Sequence, residues 1–113
     1  MVKGKAEIRI IQGDSYAKNI IIENVDNSLI VAVYFSSARL NVSKQLDYDS
    51  ENGKYKLFLT RQETANFEKG VYDYDITIKF ERDVVRTIPY RTALTILPKV
   101  NKVGVLSNGN WKP

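Results

Sequence analysis

Two groups of carboxylates have the spacing that chemistry would need. Asp73 and Asp75 stand two apart in a run of period two, which sets both side chains on one face of a strand with Cβ atoms ~7 Å apart. Paired carboxylates near that separation carry out glycoside hydrolysis, one as acid and the other as base or nucleophile. That chemistry also requires a cleft, a raised pKa and sugar-facing rings, for which a domain this small has little room. The pair is therefore read as an exposed polar face whose partners are Lys or Arg across the strand. Asp47, Asp49 and Glu51 alternate ahead of Gly53, as the ligands of a calcium loop do. Counted from Asp47, however, the glycine comes one position late, and Phe58 stands where a bidentate Glu is required. This segment is read as a solvated hairpin tip.

The missing residue types are as informative. The chain contains neither cysteine nor histidine, which excludes disulfides, thiolate metal sites and every Ser-His or Cys-His arrangement. No P-loop, dinucleotide fingerprint or nucleophile elbow is present. These absences weigh against an enzyme, and no cofactor or metal is expected. Seven tyrosines in 113 residues offer a different use. Tyr55, Tyr72, Tyr74 and Tyr90 fall on expected core faces, with the ring filling volume and the hydroxyl reaching the rim. Tyr16, Tyr34 and Tyr48 are candidates for exposure, but they are too scattered to form a visible stacking platform.

Charge is distributed unevenly. The net charge is +4. Residues 1–81 hold 11 basic and 12 acidic side chains, whereas from Arg82 onward there are six basic and one acidic. Arg82, Arg86, Arg91, Lys99 and Lys102 are thus the candidate interaction residues, joined by Trp111, the sole tryptophan. A basic end suits an acidic protein surface, nucleic acid or an anionic lipid face. The plainer reading is a solvated strand edge where Lys and Arg oppose aggregation. Trp111 is either incidental or an anchor that orders against an acidic neighbouring subunit.

The elements that must position these residues have period two. Ala6, Ile8 and Ile10 alternate with charged residues and run into a Gly13-Asp14 turn. Strands follow at 19–23, at 29–36, weakly at 45–49, and at 54–59. Thr60-Arg61-Gln62-Glu63 has the form of a capping box and opens a helical turn that must stop before Gly70. Tyr72, Tyr74, Ile76, Ile78 and Phe80 make one face of the clearest strand. Arg82-Asp83 turns the chain, and Ile88, Tyr90, Thr92, Leu94 and Ile96 form a last strand that Pro98 ends. The run from Leu29 to Phe35 is apolar on both faces, so one face has a surplus to offer a neighbour. About seven short strands with one helical turn predict an all-β, antiparallel immunoglobulin-like β-sandwich rather than a closed barrel. The domain spans 1–100, with a polar, basic C-terminal tail at 101–113. The N-terminus lacks the apolar segment of a secretory signal, and no apolar run approaches the ~20 residues of a membrane span. The expectation is a protein that stays in the cytoplasm or in a particle assembled there, with no membrane partner.

One succession of residues resembles a known family. The Gly13-Asp14 turn is followed by Leu59-Thr60 leading into a helical turn that holds Thr64. Gly70, Tyr72, Tyr74 and Asp75 then open a long strand, and Leu94-Thr95-Ile96 precedes Pro98. Over roughly Ile8 to Val100 this is similar to the small immunoglobulin-like β-sandwich domains of tailed-phage structural proteins. The nearest of these are the N-terminal domains of baseplate upper proteins and the neck or tail components of phages of Gram-positive bacteria. In that family a glycine commonly turns the hairpin before the last strand; here Arg82-Asp83 takes its place. The resemblance implies a non-enzymatic virion structural protein that binds neighbouring virion proteins or itself. Two alternatives stand beside it: a nucleic-acid-binding β domain using the basic C-terminal third, which is less favoured, and a small carbohydrate-binding module.

Overall fold

In a computed structural model the structure describes residues 2–99. It is an all-β, mostly antiparallel immunoglobulin-like sandwich with one short α-helical turn. The strands are β1 (Val2–Lys3), β2 (Ile8–Ile11), β3 (Tyr16–Ile22), β4 (Ile30–Ser37), β5 (Val42–Gln45), β6 (Asp47–Asp49), β7 (Lys54–Leu59), β8 (Gly70–Phe80) and β9 (Val84–Leu97), with α1 (Arg61–Ala65) between β7 and β8. One sheet has the order β1-β3-β7-β6 and the other β2-β9-β8-β4-β5.

The alternation read from the sequence sets the layers. Tyr72, Tyr74, Ile76 and Ile78 of β8 are buried and face Tyr55, Leu57 and Leu59 of β7 across the core, with Leu94 and Ile96 of β9 and Ile8 and Ile10 of β2 in the same cluster. Phe58, on the opposite face of β7, is 42% exposed with the Lys56 ammonium 5.9 Å over its ring.

Four features refine the expected elements. First, the weak strand at 45–49 is two strands in different sheets. Leu46, buried between them, marks the crossing and donates its N–H to the Val33 carbonyl at 2.8 Å. Second, the apolar run at 29–35 is only partly a two-faced strand. Leu29 lies in a 3₁₀ turn, and a bulge at Val31 resets the register so that Ile30, Val33 and Phe35 pair with Phe80, Ile78 and Ile76. Small Ala32 and Tyr34 take the outer face, and the surplus reduces to exposed Leu29 and Val31. Third, β2 runs parallel to the end of β9, Ile8 beside Leu94 and Ile11 beside Leu97. Fourth, β9 carries two extra residues opposite Asp73, because Tyr72 pairs with Leu94 but Tyr74 with Tyr90.

Side-chain bonds tie the turns to the strands. Thr64, fully buried, accepts from the Gly13 N–H at 3.0 Å and donates to the Asp14 carbonyl at 2.8 Å, locking α1 onto the β2–β3 turn. Gly13 holds φ at +83°, which favours glycine. Thr60 and Glu63 form the capping box, and Lys44 reaches Glu63 from β5 at 2.6 Å. Tyr72 donates to the Glu68 carbonyl four residues upstream at 2.7 Å, the tyrosine-corner arrangement of immunoglobulin-like sandwiches. A side chain at Gly70 would meet the Tyr72 ring at 3.4 Å.

Candidate protein-interaction site

The β8–β9 hairpin outruns its cover. Residues paired across an antiparallel ladder share a face, so Ile88, Arg86 and Val84 continue the inner face set by Ile76, Ile78 and Phe80. Burial fades along that face: Ile88 is half-buried, while Arg86 and Val84 are exposed. What faces them is the loop between β3 and β4. Asn24 enters it at φ +63°. Asp26 then caps a 3₁₀ turn, its Oδ1 accepting from the Ser28 hydroxyl at 2.7 Å and the Ser28 N–H at 2.9 Å. Those bonds, the hydroxyl's first, hold the Asp26 carboxyl below the usual carboxylate range. The turn presents Leu29, 46% exposed.

Loop and hairpin together bound a cleft of about 640 Å³ at the open end of the sandwich, lined by Val25, Asp26, Leu29, Phe80, Arg82, Val84 and Arg86 among others. Its lining mixes apolar Val25, Leu29, Phe80 and Val84 with Asn24, the carboxylates of Asp26 and Glu81, and the guanidiniums of Arg82 and Arg86. Such a surface can bury an apolar side chain and pair a carboxylate. It is suited to holding a partner.

Of the residues expected to interact, the structure brings Arg82 and Arg86 to this cleft. Arg91 is exposed further along β9, about 16 Å from Arg86 by strand rise. Lys99 lies elsewhere again, its ammonium 2.7 Å from Asp14 at the β2–β3 turn. Lys102, Trp111 and the tail expected at 101–113 lie outside the described residues. Phe80 and Val84 were not singled out for contact from sequence, and Leu29 entered only as the first residue of the apolar run expected to offer a face to a neighbour. The available signal was Val84-Val85 directly after a turn, two apolar residues at a hairpin end between arginines.

The carboxylates considered for chemistry have other tasks. Asp73 Oδ1 accepts from the Thr92 N–H at 2.7 Å, and Asp75 lies opposite Pro89. Asp49 closes the β6–β7 hairpin, accepting from the Asn52 side chain at 2.7 Å and the Glu51 N–H at 3.1 Å. Those contacts hold its carboxyl below the usual range. Tyr74 sits between Phe35 and Tyr90, ring centroids 5.3 and 4.9 Å away, and donates to the Ala6 carbonyl. Burial first, then the neighbouring Tyr90 and Tyr16, push its hydroxyl well above the ordinary value. Tyr55, Tyr72 and Tyr74 are buried as expected, and Tyr90 half so. Tyr16 and Tyr34 are half-buried on different sheets, and Tyr48 is 48% exposed with its ring against Tyr55. No family model, curated protein or solved structure matches the chain.

Proposed function

We propose that this chain is a non-enzymatic structural component of a phage or prophage particle that works by docking on neighbouring protein subunits, with itself as one such neighbour. The observation that carries the docking role is the hairpin-end cleft, where Leu29 and Val84 are about half exposed beside Arg82 and Arg86. Exposed apolar side chains rimmed by charge are what an assembly contact buries. Placement in a phage particle rests on the family resemblance, which is an argument from fold and local motif. The carboxylates agree with a non-catalytic role, since Asp73, Asp49 and Asp26 are occupied in holding turns and a bulge.

The test is to purify particles induced from the cell that encodes the chain and to quantify it in them by mass spectrometry. A fixed copy number per particle supports the reading. Particles that assemble without the chain overturn it. The nucleic-acid alternative is read in parallel by titrating DNA and RNA at two salt concentrations, because counterion release makes such binding steeply salt-dependent.

A further inference from the structure

The larger sheet ends in β2, whose far side has no strand partner among the described residues. The Gln12 N–H donates to the Leu97 carbonyl of β9 at 2.9 Å, and this bond fixes the alternation. The backbone groups of Ile8 and Ile10 point at β9 with those of Gln12, while those of Glu7 and Arg9 point away from it. The Ala6 carbonyl agrees, since it accepts from the Tyr74 hydroxyl of β8 in the same sheet. Burial alternates without a break from Lys5 to Ile11, so the strand pattern continues upstream of Ile8.

This edge carries its own complement. Glu7 and Arg9 stand two apart on the outer face, 60–61% exposed, with only a loose 3.7 Å ion pair between them. A carboxylate and a guanidinium can each make several bonds, so both keep capacity to spare. Beside Arg9 in the sheet stand Thr95 and then Val71, so no carboxylate in that row competes for the guanidinium. The Lys18 ammonium lies at the far end of the segment, 3.1 Å from the Lys5 carbonyl. Other edges lack this pattern: β6 presents Asp47 and Asp49, which are alike in sign, and the open stretch of β9 contains Pro89.

A second copy laid antiparallel, Ile8 opposite Ile8, sets Glu7 of each chain against Arg9 of the other. Both residues point their backbone groups outward, so they exchange N–H···O bonds across the join. The four side chains then close a ring of alternating charge, each carboxylate between its own Arg9 and that of the copy. Ile11, 42% exposed, falls opposite Lys5, whose apolar stem covers it. Centring the pair on Glu7 or on Arg9 would put like charges opposite each other, and a one-residue slip would break the bonding alternation. We infer that the β2 edge binds a second copy of this chain as an antiparallel strand in the Glu7–Arg9 register, joining two five-stranded sheets across a two-fold axis. This deepens the docking function proposed above, on a surface apart from the cleft, and rests on that reading only for its place in a particle.

Sedimentation and amide NMR of the full chain, over a concentration series reaching about 1 mM so that weak contacts register, make the test. The parent is expected to dimerise, with the Glu7 and Arg9 amides shifted and protected. Glu7→Arg or Arg9→Glu alone should weaken self-association at least about tenfold. Mixed one to one, the two variants should associate with each other, and the chain carrying both changes should dimerise as the parent does. Arg9→Pro should abolish the dimer because it removes an outward donor and no bond to β9; Glu7→Pro makes the same cut where Arg9→Pro does not fold. A parent that stays monomeric, single reversals without effect, a mixture that does not associate, or a dimer that survives both prolines overturns the inference. A dimer that forms only once residues 100–113 are removed would assign the edge to those residues, and overturns it too. Particle incorporation that is unchanged by Arg9→Glu would leave the docking function standing without this edge.

Discussion

The carboxylate of Asp73 accepts a 2.7 Å hydrogen bond from the backbone N–H of Thr92. Thr92 belongs to the two-residue insertion in β9 and has φ +51°, a left-handed conformation that costs a β-branched residue ~1–2 kcal/mol. The insertion also takes the Thr92 N–H out of the ladder, and Asp73 supplies the acceptor. Ser37 fixes the same spot from β4 by donating to the Asp73 carbonyl at 2.8 Å. Asp73→Ala should lower stability by about 1–2 kcal/mol and Asp73→Asn by less, since the amide oxygen still accepts. Urea unfolding of the three proteins checks this, and an alanine variant as stable as the parent would contradict it.

Truncation at the centre of β8 tests the layer assignment. Ile76 is 1% exposed between Phe35 and the Ile88 side of β9. Ile76→Ala should cost on the order of 2–5 kcal/mol through lost burial and the cavity left behind. A loss below about 1 kcal/mol would mean that this face is not the core face.

Acid should loosen the clamp between β5 and α1. The Lys44 ammonium, 2.6 Å from Glu63, and the Thr60 N–H hold the Glu63 carboxyl below its ordinary value of 4.5. A carboxyl depressed in the folded state stabilises the fold above its unfolded pKa, and that contribution is lost as pH falls through the lowered folded value. Stability should therefore decline as the pH drops below about 4.5. Glu63→Gln should flatten that part of the curve and cost about 1 kcal/mol at neutral pH through the weakened cap. Thermal melts across pH 2–7, a span chosen around the usual carboxylate range, read both effects.

The hairpin turn stores strain that can be released. Arg82 and Asp83 both have positive φ, 63° and 61°, a backbone that favours glycine or asparagine. Replacing them together, Arg82→Asn with Asp83→Gly, gives a pair that favours this backbone. A gain of about 1 kcal/mol is expected, seen as a melting temperature higher by roughly 4–8 °C. An unchanged or lower melting point would show that the turn is not strained.

Docking through the cleft predicts a separation of folding from association. Leu29→Ser with Val84→Ser alters two exposed side chains and should shift monomer stability by no more than about 0.5 kcal/mol each. Association with the native partner, measured by sedimentation, should weaken about tenfold through the lost apolar burial. Unaltered association would remove the cleft from the interface.

The strands and faces were legible because a pattern of period two survives most local irregularity. The insertion in β9 adds two residues, so Ile88 and Tyr90 before it and Leu94 and Ile96 after it keep the same parity. The inner face was therefore readable even though the bulge was not. At Val31 a single extra residue reverses parity, and there the run looked apolar on both faces. The parallel pairing of β2 with β9 left no local mark, since register between distant strands depends on the folded whole. The site was half legible. The arginines stood out by charge, but which of them share a surface depends on where the β3–β4 loop stops covering the hairpin, and no spacing within β9 encodes that.

The pairing of Ile8 with Leu94 has a kinetic meaning. Near-neighbour hairpins such as β6–β7 and β8–β9 can close early, because little chain must be ordered to bring their strands together. β2 has no other strand partner in its sheet, so during synthesis its edge waits until β9, the last described strand, has been made. Until then Ile8 and Ile10 lack a sheet to belong to, and their pairing spans the largest sequence separation in that sheet. The rate at which this protein reaches its native state should accordingly be governed by that single late encounter. Weakening it with Ile10→Ala should slow refolding more than an equally destabilising change inside either hairpin.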